Sequence, residues 1–345
     1  MITKYFSSIV LSMRNHKTIN MMIKRPRSGK SAAADKFIIS DRVKISRDVN
    51  EKQIIHVKLN HPETLNALDI KTFEDLAQTA VHLRSKANVR AVILSGEGRA
   101  FCSGLNVKSI LSKRHQDSKS DSSIFPFFAN MDRLLKRPCP TIKTEMSDEE
   151  VKFAIGNLAQ NVGYLWRQIP VPVIAALHGC CLGGGLQIAL GADMRFSTVD
   201  CKLSIMEAKW GLVPDMSGSI TLRELLPIDV AKELTMTGRI IRGSEADQLG
   251  LVTRCVDDPL MEAVKVSKEI IERSPDSVAA SKLLFQETWV DASEEYCLSA
   301  ETRLQKNLIC SWNQVAASMR NFGLSIPYRS VSQNKLHDKN KEQSK

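Results

Sequence analysis

The chain has 345 residues, of which 43% are hydrophobic and 25% are charged, a composition typical of a globular protein with a buried core. No apolar run approaches the roughly 20 residues of a membrane-spanning helix, so composition excludes disordered and membrane-spanning classes for the body. The net charge of +10 lies at the ends: residues 1–30 and 325–345 hold twelve basic and two acidic residues, and 36 of each remain between them.

The first 36 residues predict a leader segment. Residues 1–30 are basic, free of acids and contain Ser and Met, which is typical of a mitochondrial presequence, and a disordered arm is the alternative. A secretory signal fits less well because no small-residue cleavage site follows the short apolar stretch, and the C-terminal Gln-Ser-Lys disfavours a peroxisomal location. We therefore expect a protein of the mitochondrial matrix. The apolar face of the leader helix would consist of Ile2, Phe6, Ile9 and Met13.

The cysteines predict neither a disulfide framework nor a metal site. None of the eight belongs to a CxxC pair, and none has metal-ligand spacing to the seven histidines. We expect them to be small buried residues of a protein in a reducing compartment, with no metal bound. They are Cys102, Cys139, Cys180, Cys181, Cys201, Cys255, Cys297 and Cys310.

In chain order, the first half of the body alternates strands with helices. Alternating apolar residues predict a hairpin, and apolar residues at helical spacing predict the helices. A polar, irregular stretch at 112–146 predicts a surface insertion with one short helix at 127–135. The other predicted elements of this half are strands at 43–45, 54–59 and 89–95, a turn at 96–104, and helices at 70–85 and 148–168.

The second half continues the alternation and ends in helices. Its predicted elements are strands at 171–176, 194–199, 202–205 and 251–256, a glycine turn at 183–185, a loop at 207–215, and helices at 186–191, from 217, at 228–236, at 243–248 and throughout 259–322. This order predicts an α/β fold with a core at 37–258, a helical C-terminal association region at 259–324 and a basic tail at 325–345.

The glycine turn at 183–185 joins a buried strand to a helix. Glycines at such a joint can present backbone N–H groups with no side chain in the way, and these donors attract a developing negative charge. An oxyanion site is one interpretation, and a tight turn that permits close helix packing is the other. The segment also lacks the GxGxxG spacing of a dinucleotide site.

Five segments in fixed order resemble the crotonase, or enoyl-CoA hydratase/isomerase, superfamily. They are residues 60–68 (NHPETLNAL), 98–108 (GRAFCSGLNVK), 178–185 (HGCCLGGG), 207–215 (EAKWGLVPD), and 234–239 (LTMTGR) with 246–252 (ADQLGLV). The resemblance covers about residues 45–324. It implies a crotonase-type ββα spiral core, assembly as a homotrimer or homohexamer, and an acyl-CoA thioester substrate with no separate cofactor.

The resemblance also implies where the thioester would bind. By motif position, the backbone N–H groups of Leu105 and Gly184 would form an oxyanion hole that stabilises an enolate. Coenzyme A would lie near Ala67, Leu68 and Lys108. Without the resemblance, Lys108 would be taken for a solvated surface lysine.

The side chains at the proton-transfer positions depart from the hydratase pattern. Similar hydratases place two glutamates where this chain has Gln187 and Glu207, and an amide cannot exchange a proton near neutral pH. Asp215 lies where the dienoyl-CoA isomerase branch has its second acid/base, although that branch has an aspartate at the position of Gln187. We therefore predict Glu207 and Asp215 as catalytic and Gln187 as a substrate contact. The alternatives are a helix N-cap for Asp215 and a surface carboxylate, paired with a nearby lysine, for Glu207.

These residues predict an enzyme that isomerises 3,5-dienoyl-CoA to 2,4-dienoyl-CoA. A 2-enoyl-CoA hydratase of fatty-acid β-oxidation is the first alternative. A non-catalytic or RNA-binding homologue is the second, which the neutral body and the absence of an aromatic-basic motif disfavour. We expect no nucleic-acid partner and no membrane span.

Overall fold

A computed structural model of the chain describes residues 40–86, 88–106, 133–136 and 155–331. The predicted leader, Lys108, most of the 112–146 insertion and the chain beyond 331 lie outside these residues. Within the predicted helix at 127–135, residues 133–135 are helical.

The core is a six-stranded sheet with the order β1-β2-β3-β4-β6-β9. The predicted hairpin is present as the antiparallel β1–β2 pair, and every other neighbouring pair in this sheet is parallel. A second sheet has the order β5-β7-β8. The strands are β1 (Val43–Arg47), β2 (Ile54–Leu59), β3 (Ala91–Gly96), β4 (Val173–Leu177), β5 (Cys180–Leu182), β6 (Met194–Ser197), β7 (Lys202–Ser204), β8 (Ile241–Arg242) and β9 (Arg254–Cys255).

Helices flank the sheet and form the C-terminal third. They are α1 (Ile70–Arg84), α2 (Leu158–Gln168), α3 (Gly184–Leu190), α4 (Gly218–Leu225), α5 (Ile228–Thr237), α6 (Gly243–Gln248), α7 (Pro259–Ile271), α8 (Pro275–Thr288), α9 (Glu294–Leu308) and α10 (Trp312–Asn321). The predicted continuous helical stretch is divided into α7 to α10 because a serine caps the start of each of the last three: Ser274, Ser293 and Ser311 accept a backbone N–H.

One face of the six-stranded sheet packs on α7. Alternate residues of the strands point to this face because side chains in a strand alternate between the two sides. The buried residues of this layer are Ile54, Ala91, Ile93, Ile174, Ala176, Phe196, Ala263 and Ile271. Every residue of β4 is buried, as expected for a central parallel strand covered on both faces.

Three predicted boundaries were wrong. Of the helix expected at 148–168, residues 148–154 lie outside the described residues, 155–157 are not helical, and the described helix begins at Leu158, where Asn157 and Gln160 form a capping box. The helix expected at 186–191 begins at Gly184, so two of the three glycines form its first turn. The strand expected at 251–256 is reduced to β9, because the preceding residues bond back to α6 through Ala246 O.

The chain stays packed beyond α10. Asn313 and Arg329 exchange two hydrogen bonds, with Arg329 N donating to Asn313 Oδ1 at 2.8 Å and Asn313 Nδ2 donating to Arg329 O at 3.1 Å. The Tyr328 ring lies under the guanidinium groups of Arg90 and Arg320. These contacts continue past the predicted boundary at 324. No helix in the described part of the chain is both long and apolar enough to cross a membrane.

Candidate active site

Two strand ends lie side by side where the candidate site is built. Cys102 forms a parallel β-bridge with Cys181. Leu105 and Gly184 each lie three residues beyond this bridge. A Cβ added to Gly104 would lie 2.8 Å from Leu182 O and 3.9 Å from Gly183 Cα. The residues that directly precede the two predicted oxyanion donors therefore lie close together.

The backbone N–H groups at these two positions are free to bind a ligand. Leu68 N donates to Gly104 O, and Asn106 N donates to Leu68 O, so the intervening Leu105 N–H points away from the Leu68 segment. Gly184 N–H is the first of α3 and precedes the intrahelical bonds. Neither N–H has a hydrogen-bond acceptor among the described residues.

The glycine triplet is needed for packing as well as for exposing an N–H. Gly183 has φ of 51°, in the left-handed region that favours glycine. A Cβ on Gly184 would lie 2.7 Å from Met216 Sδ, and one on Gly185 would lie 2.6 Å from Cys102 Cβ. Both interpretations of the triplet, close packing and free donors, are thus compatible in one segment.

The positions predicted to line coenzyme A lie beside the same strand ends. Ala67 is 8% exposed and Leu68 is fully buried. Leu68 reaches the oxyanion region, because a Cβ on Gly184 would lie 3.1 Å from its Cδ1. Lys108 lies outside the described residues.

Asn66 holds this segment and was not selected from the sequence. It is 1% exposed and has φ of 58°, a conformation that asparagine tolerates better than most residues. Its Nδ2 donates to the carbonyls of Glu97 and Ala100, both at 2.9 Å, and its Oδ1 accepts from His61 N at 2.8 Å. The available signal was an asparagine two residues after the short PET turn.

Glu207 presents a buried carboxyl to the glycine turn. It begins a 3-10 helix and is 9% exposed, and its Oε1 would lie 3.5 Å from a Cβ on Gly183. Oε1 accepts from Gln187 Nε2 at 2.7 Å, whereas the buried Oε2 has no hydrogen-bond partner among the described residues. Burial raises the pKa of Glu207, and the negative charge of Asp215 adds to the rise. The lysine-paired surface carboxylate suggested as its alternative is therefore wrong.

Gln187 is a residue of α3, and its side chain contacts the Glu207 carboxyl. Its side chain is 1% exposed, and Nε2 donates to Glu207 while Oε1 accepts from Met216 N at 2.9 Å. A Cβ on Gly218 would lie only 2.8 Å from Oε1, so the amide oxygen is closely enclosed. Both hydrogen bonds of this predicted substrate contact are made to protein atoms.

Asp215 lies at the other end of the segment that begins with Glu207. The residue is exposed, yet partial burial of its carboxyl raises the pKa of Asp215. The N-cap alternative for Asp215 was wrong, because α4 begins at Gly218 and Ser217 occupies the cap position. Ser217 makes no capping hydrogen bond through its hydroxyl either, since its φ of 67° turns the residue into the left-handed region.

Together these groups can stabilise a negative charge and transfer a proton. Gly184, one of the two predicted N–H donors, directly follows Gly183, which lies beside the buried Glu207 carboxyl of raised pKa, and a second carboxyl is close enough to affect that pKa. In the described ranges no cluster of three or more His, Cys, Asp or Glu could hold a metal ion.

Comparisons with known proteins identify the family of the chain. The profile of the enoyl-CoA hydratase/isomerase family matches residues 54–321. The chain is 28% identical to the mitochondrial Delta(3,5)-Delta(2,4)-dienoyl-CoA isomerase of Mus musculus over 68% of its own length and 65% of that relative. It is 29% identical to enoyl-CoA hydratase EchA19 of Mycobacterium tuberculosis over 67% and 76% of the two chains.

A solved structure supports the fold. The crystal structure of enoyl-CoA hydratase from Bacillus anthracis matches with a TM-score of 0.66 at 23% identity, covering 84% of this chain and 99% of that one. The α/β fold class predicted from the sequence, with its crotonase-type core, is confirmed.

Proposed function

This chain belongs to the enoyl-CoA hydratase/isomerase family, and from that membership we propose that it converts 3,5-dienoyl-CoA to 2,4-dienoyl-CoA. The observation that supports isomerisation is the state of the three polar side chains. Glu207 has one buried carboxyl oxygen without a partner among the described residues, Gln187 is engaged with protein atoms, and Asp215 is a second carboxyl of raised pKa. A proton acceptor and a proton donor are thus available, while the position of the second glutamate of similar hydratases is occupied by the Gln187 amide, which bonds to Glu207.

The proposed reaction begins with the thioester oxygen between the N–H groups of Leu105 and Gly184. These donors stabilise the enolate that forms when a proton leaves the carbon next to the carbonyl. Glu207 takes that proton through Oε2, and the electron pair delocalises along the conjugated chain. Asp215 returns a proton at the far end of the diene, so the double bonds shift while the composition of the substrate is unchanged.

The remaining features of the proposal follow from this chemistry. Isomerisation is redox-neutral, so no redox cofactor is required, and the two N–H groups replace a metal as the electrophile. Coenzyme A is placed near Ala67, Leu68 and Lys108 as part of the substrate. We also propose a mitochondrial location and a homotrimer or homohexamer, with the mitochondrial name of the mouse relative in support of the location.

Hydration of 2-enoyl-CoA is the second candidate, favoured by the name of the mycobacterial relative. Hydration requires a water to be held and deprotonated beside the substrate. The amide of Gln187 cannot deprotonate it, and both of its hydrogen bonds are already made within the protein.

The test is to incubate the full chain with 3,5-dienoyl-CoA and, separately, with 2-enoyl-CoA, and to resolve the products by mass. We expect an isobaric 2,4-dienoyl product, reduced by at least about 100-fold in Glu207→Gln and in Asp215→Asn. Gain of one water on the enoyl substrate, with no isomerisation of the diene, would instead establish the hydratase. Absence of both products would overturn both candidates.

A further inference from the structure

We propose that Gln187 is a positioning residue that orients the Glu207 carboxyl and ties it to the segment carrying Asp215. The inference rests on the proposed function. Its basis is one buried amide with two fixed partners: Nε2 lies 2.7 Å from Glu207 Oε1, and Oε1 lies 2.9 Å from Met216 N. Met216 directly follows Asp215 in the chain.

The orientation of the amide is determined by Met216. A backbone N–H can only donate, so the amide atom facing Met216 must be the oxygen. The NH₂ group must then face Glu207, and it can only donate to that carboxyl. Gln187 therefore always engages Glu207 Oε1 and leaves Oε2 as the oxygen available for proton transfer.

This donation also acts against the desolvation of Glu207. Burial raises the pKa of Glu207, and the hydrogen bond from Gln187 lowers it by favouring the charged form. Without that donor the carboxyl would hold its proton to a higher pH. A base must be ionised to remove a proton, so Gln187 widens the pH range in which Glu207 is active.

The surroundings leave the amide little freedom to adopt another arrangement. Gln187 is 1% exposed, and the Gly218 backbone is close to Oε1. Asparagine is one methylene shorter and would not span the distance between Glu207 and Met216. Leucine has a similar volume but neither hydrogen bond, and glutamate keeps the acceptor while replacing the donor. Gln187→Leu therefore tests the loss of both hydrogen bonds, and Gln187→Glu tests the loss of the donor to Glu207 alone.

The experiment measures kcat and KM for 3,5-dienoyl-CoA from low to high pH with the full-length chain. In Gln187→Leu, kcat should fall by about 10- to 100-fold, as expected for a lost hydrogen bond to a charged group, with KM changed by less than about threefold. The ratio of mutant to wild-type kcat should rise with pH, because the pKa of Glu207 is higher in the mutant.

Gln187→Glu should show the opposite trend. At low pH the introduced carboxyl is protonated and can both accept from Met216 N and donate to Glu207. As pH rises this shared proton is lost, two negative charges face each other, and the ratio of mutant to wild-type kcat should fall. Gln286→Leu is the control. Gln286 lies on α8, and its amide donates to Arg167 O at 2.8 Å. Its ratio should be close to one at every pH.

A purely structural role predicts that the ratio of mutant to wild-type kcat does not depend on pH. A constant ratio in both Gln187→Leu and Gln187→Glu would overturn the proposal. A second readout does not depend on turnover: carbon-13 NMR titration of the Glu207 carboxyl, assigned with Glu207→Gln. It should show a higher pKa in Gln187→Leu than in the wild type, and an unchanged pKa would also overturn the proposal. A wild-type chain that isomerises no dienoyl-CoA would refute the proposed function, while the titration would still decide the role of Gln187.

Discussion

Replacing Gly185 with alanine should separate the two strand ends that carry the proposed oxyanion donors. The added Cβ would lie 2.6 Å from Cys102 Cβ and 3.0 Å from Cys102 O. Both atoms move only with the backbone, so no side-chain rotation relieves the contact. Carbon atoms in contact prefer a separation of about 3.5–4.0 Å. The strand bearing Cys102, which leads to Leu105, must therefore shift by roughly 1 Å.

The expected loss of stability is smaller than the expected loss of activity. Overpacking a core costs about 1–3 kcal/mol, and the better helix propensity of alanine offsets about 1 kcal/mol of that cost. The free energy of unfolding should therefore decrease by about 0–2 kcal/mol. A displacement of about 1 Å at a reacting group can cost about 100-fold in rate, so kcat should fall by that order.

Urea unfolding and turnover of 3,5-dienoyl-CoA measure the two effects. Gly323→Ala is the control, because Gly323 has φ of 81° with open space around its Cα and follows the last helix. It should lose about 1–2 kcal/mol from backbone strain and keep wild-type kcat. The reasoning is refuted if Gly185→Ala stabilises the protein, as helix propensity alone requires, and leaves kcat unchanged.

Three further predictions concern pH, a buried lysine and Asn66. Because burial raises the pKa of Glu207, kcat/KM should fall with decreasing pH at an apparent pKa above that of an ordinary glutamate. An apparent pKa of about 4.3 or below for this fall would contradict the prediction. Lys282→Met should lower the free energy of unfolding by about 2 kcal/mol without changing kcat, since the carbonyl oxygens of Trp166 and Val171 lose their donor and the Asp193 carboxylate loses its cation; unchanged urea unfolding would refute it. Asn66→Ala should cost about 2 kcal/mol and raise KM for the CoA substrate, whereas Asn60→Ala, which removes one exposed hydrogen bond, should do neither.

The sequence carried enough information to identify the class of fold and the two strand ends of the site. Apolar runs identified β3 and β4 because both are buried on each face, and the glycine-rich segment after β3 marked where that strand ends. The glycine triplet at 183–185 instead follows the short strand β5. Motif order then linked the segments of Leu105 and Gly184, and the Cys102–Cys181 bridge lies three residues before each of these positions. Local pattern and chain order were sufficient there.

Other features depend on contacts that local pattern does not contain. The three-residue strand β5 is too short to show periodicity, and it forms because β7 pairs with it. The helix start at Gly184 is determined by Met216 and Cys102, which leave no room for a Cβ. The backbone N–H of Met216, which donates to Gln187 Oε1, lies 29 residues away in sequence, so the role of Gln187 could be assigned only from its chemical type.

The two carboxyls of the site differ in their access to solvent, and this difference suits transfer of a proton between two carbons. Glu207 is buried, and its Oε1 both accepts from Gln187 and lies beside the glycine turn, while Oε2 has no hydrogen-bond partner among the described residues. Asp215 is an exposed residue, and it follows the apolar stretch after Glu207. In the proposed reaction the enclosed carboxyl receives the proton where the enolate forms, away from competing water. The exposed carboxyl can recover its proton from solvent after each turnover, which would let the two groups keep separate roles.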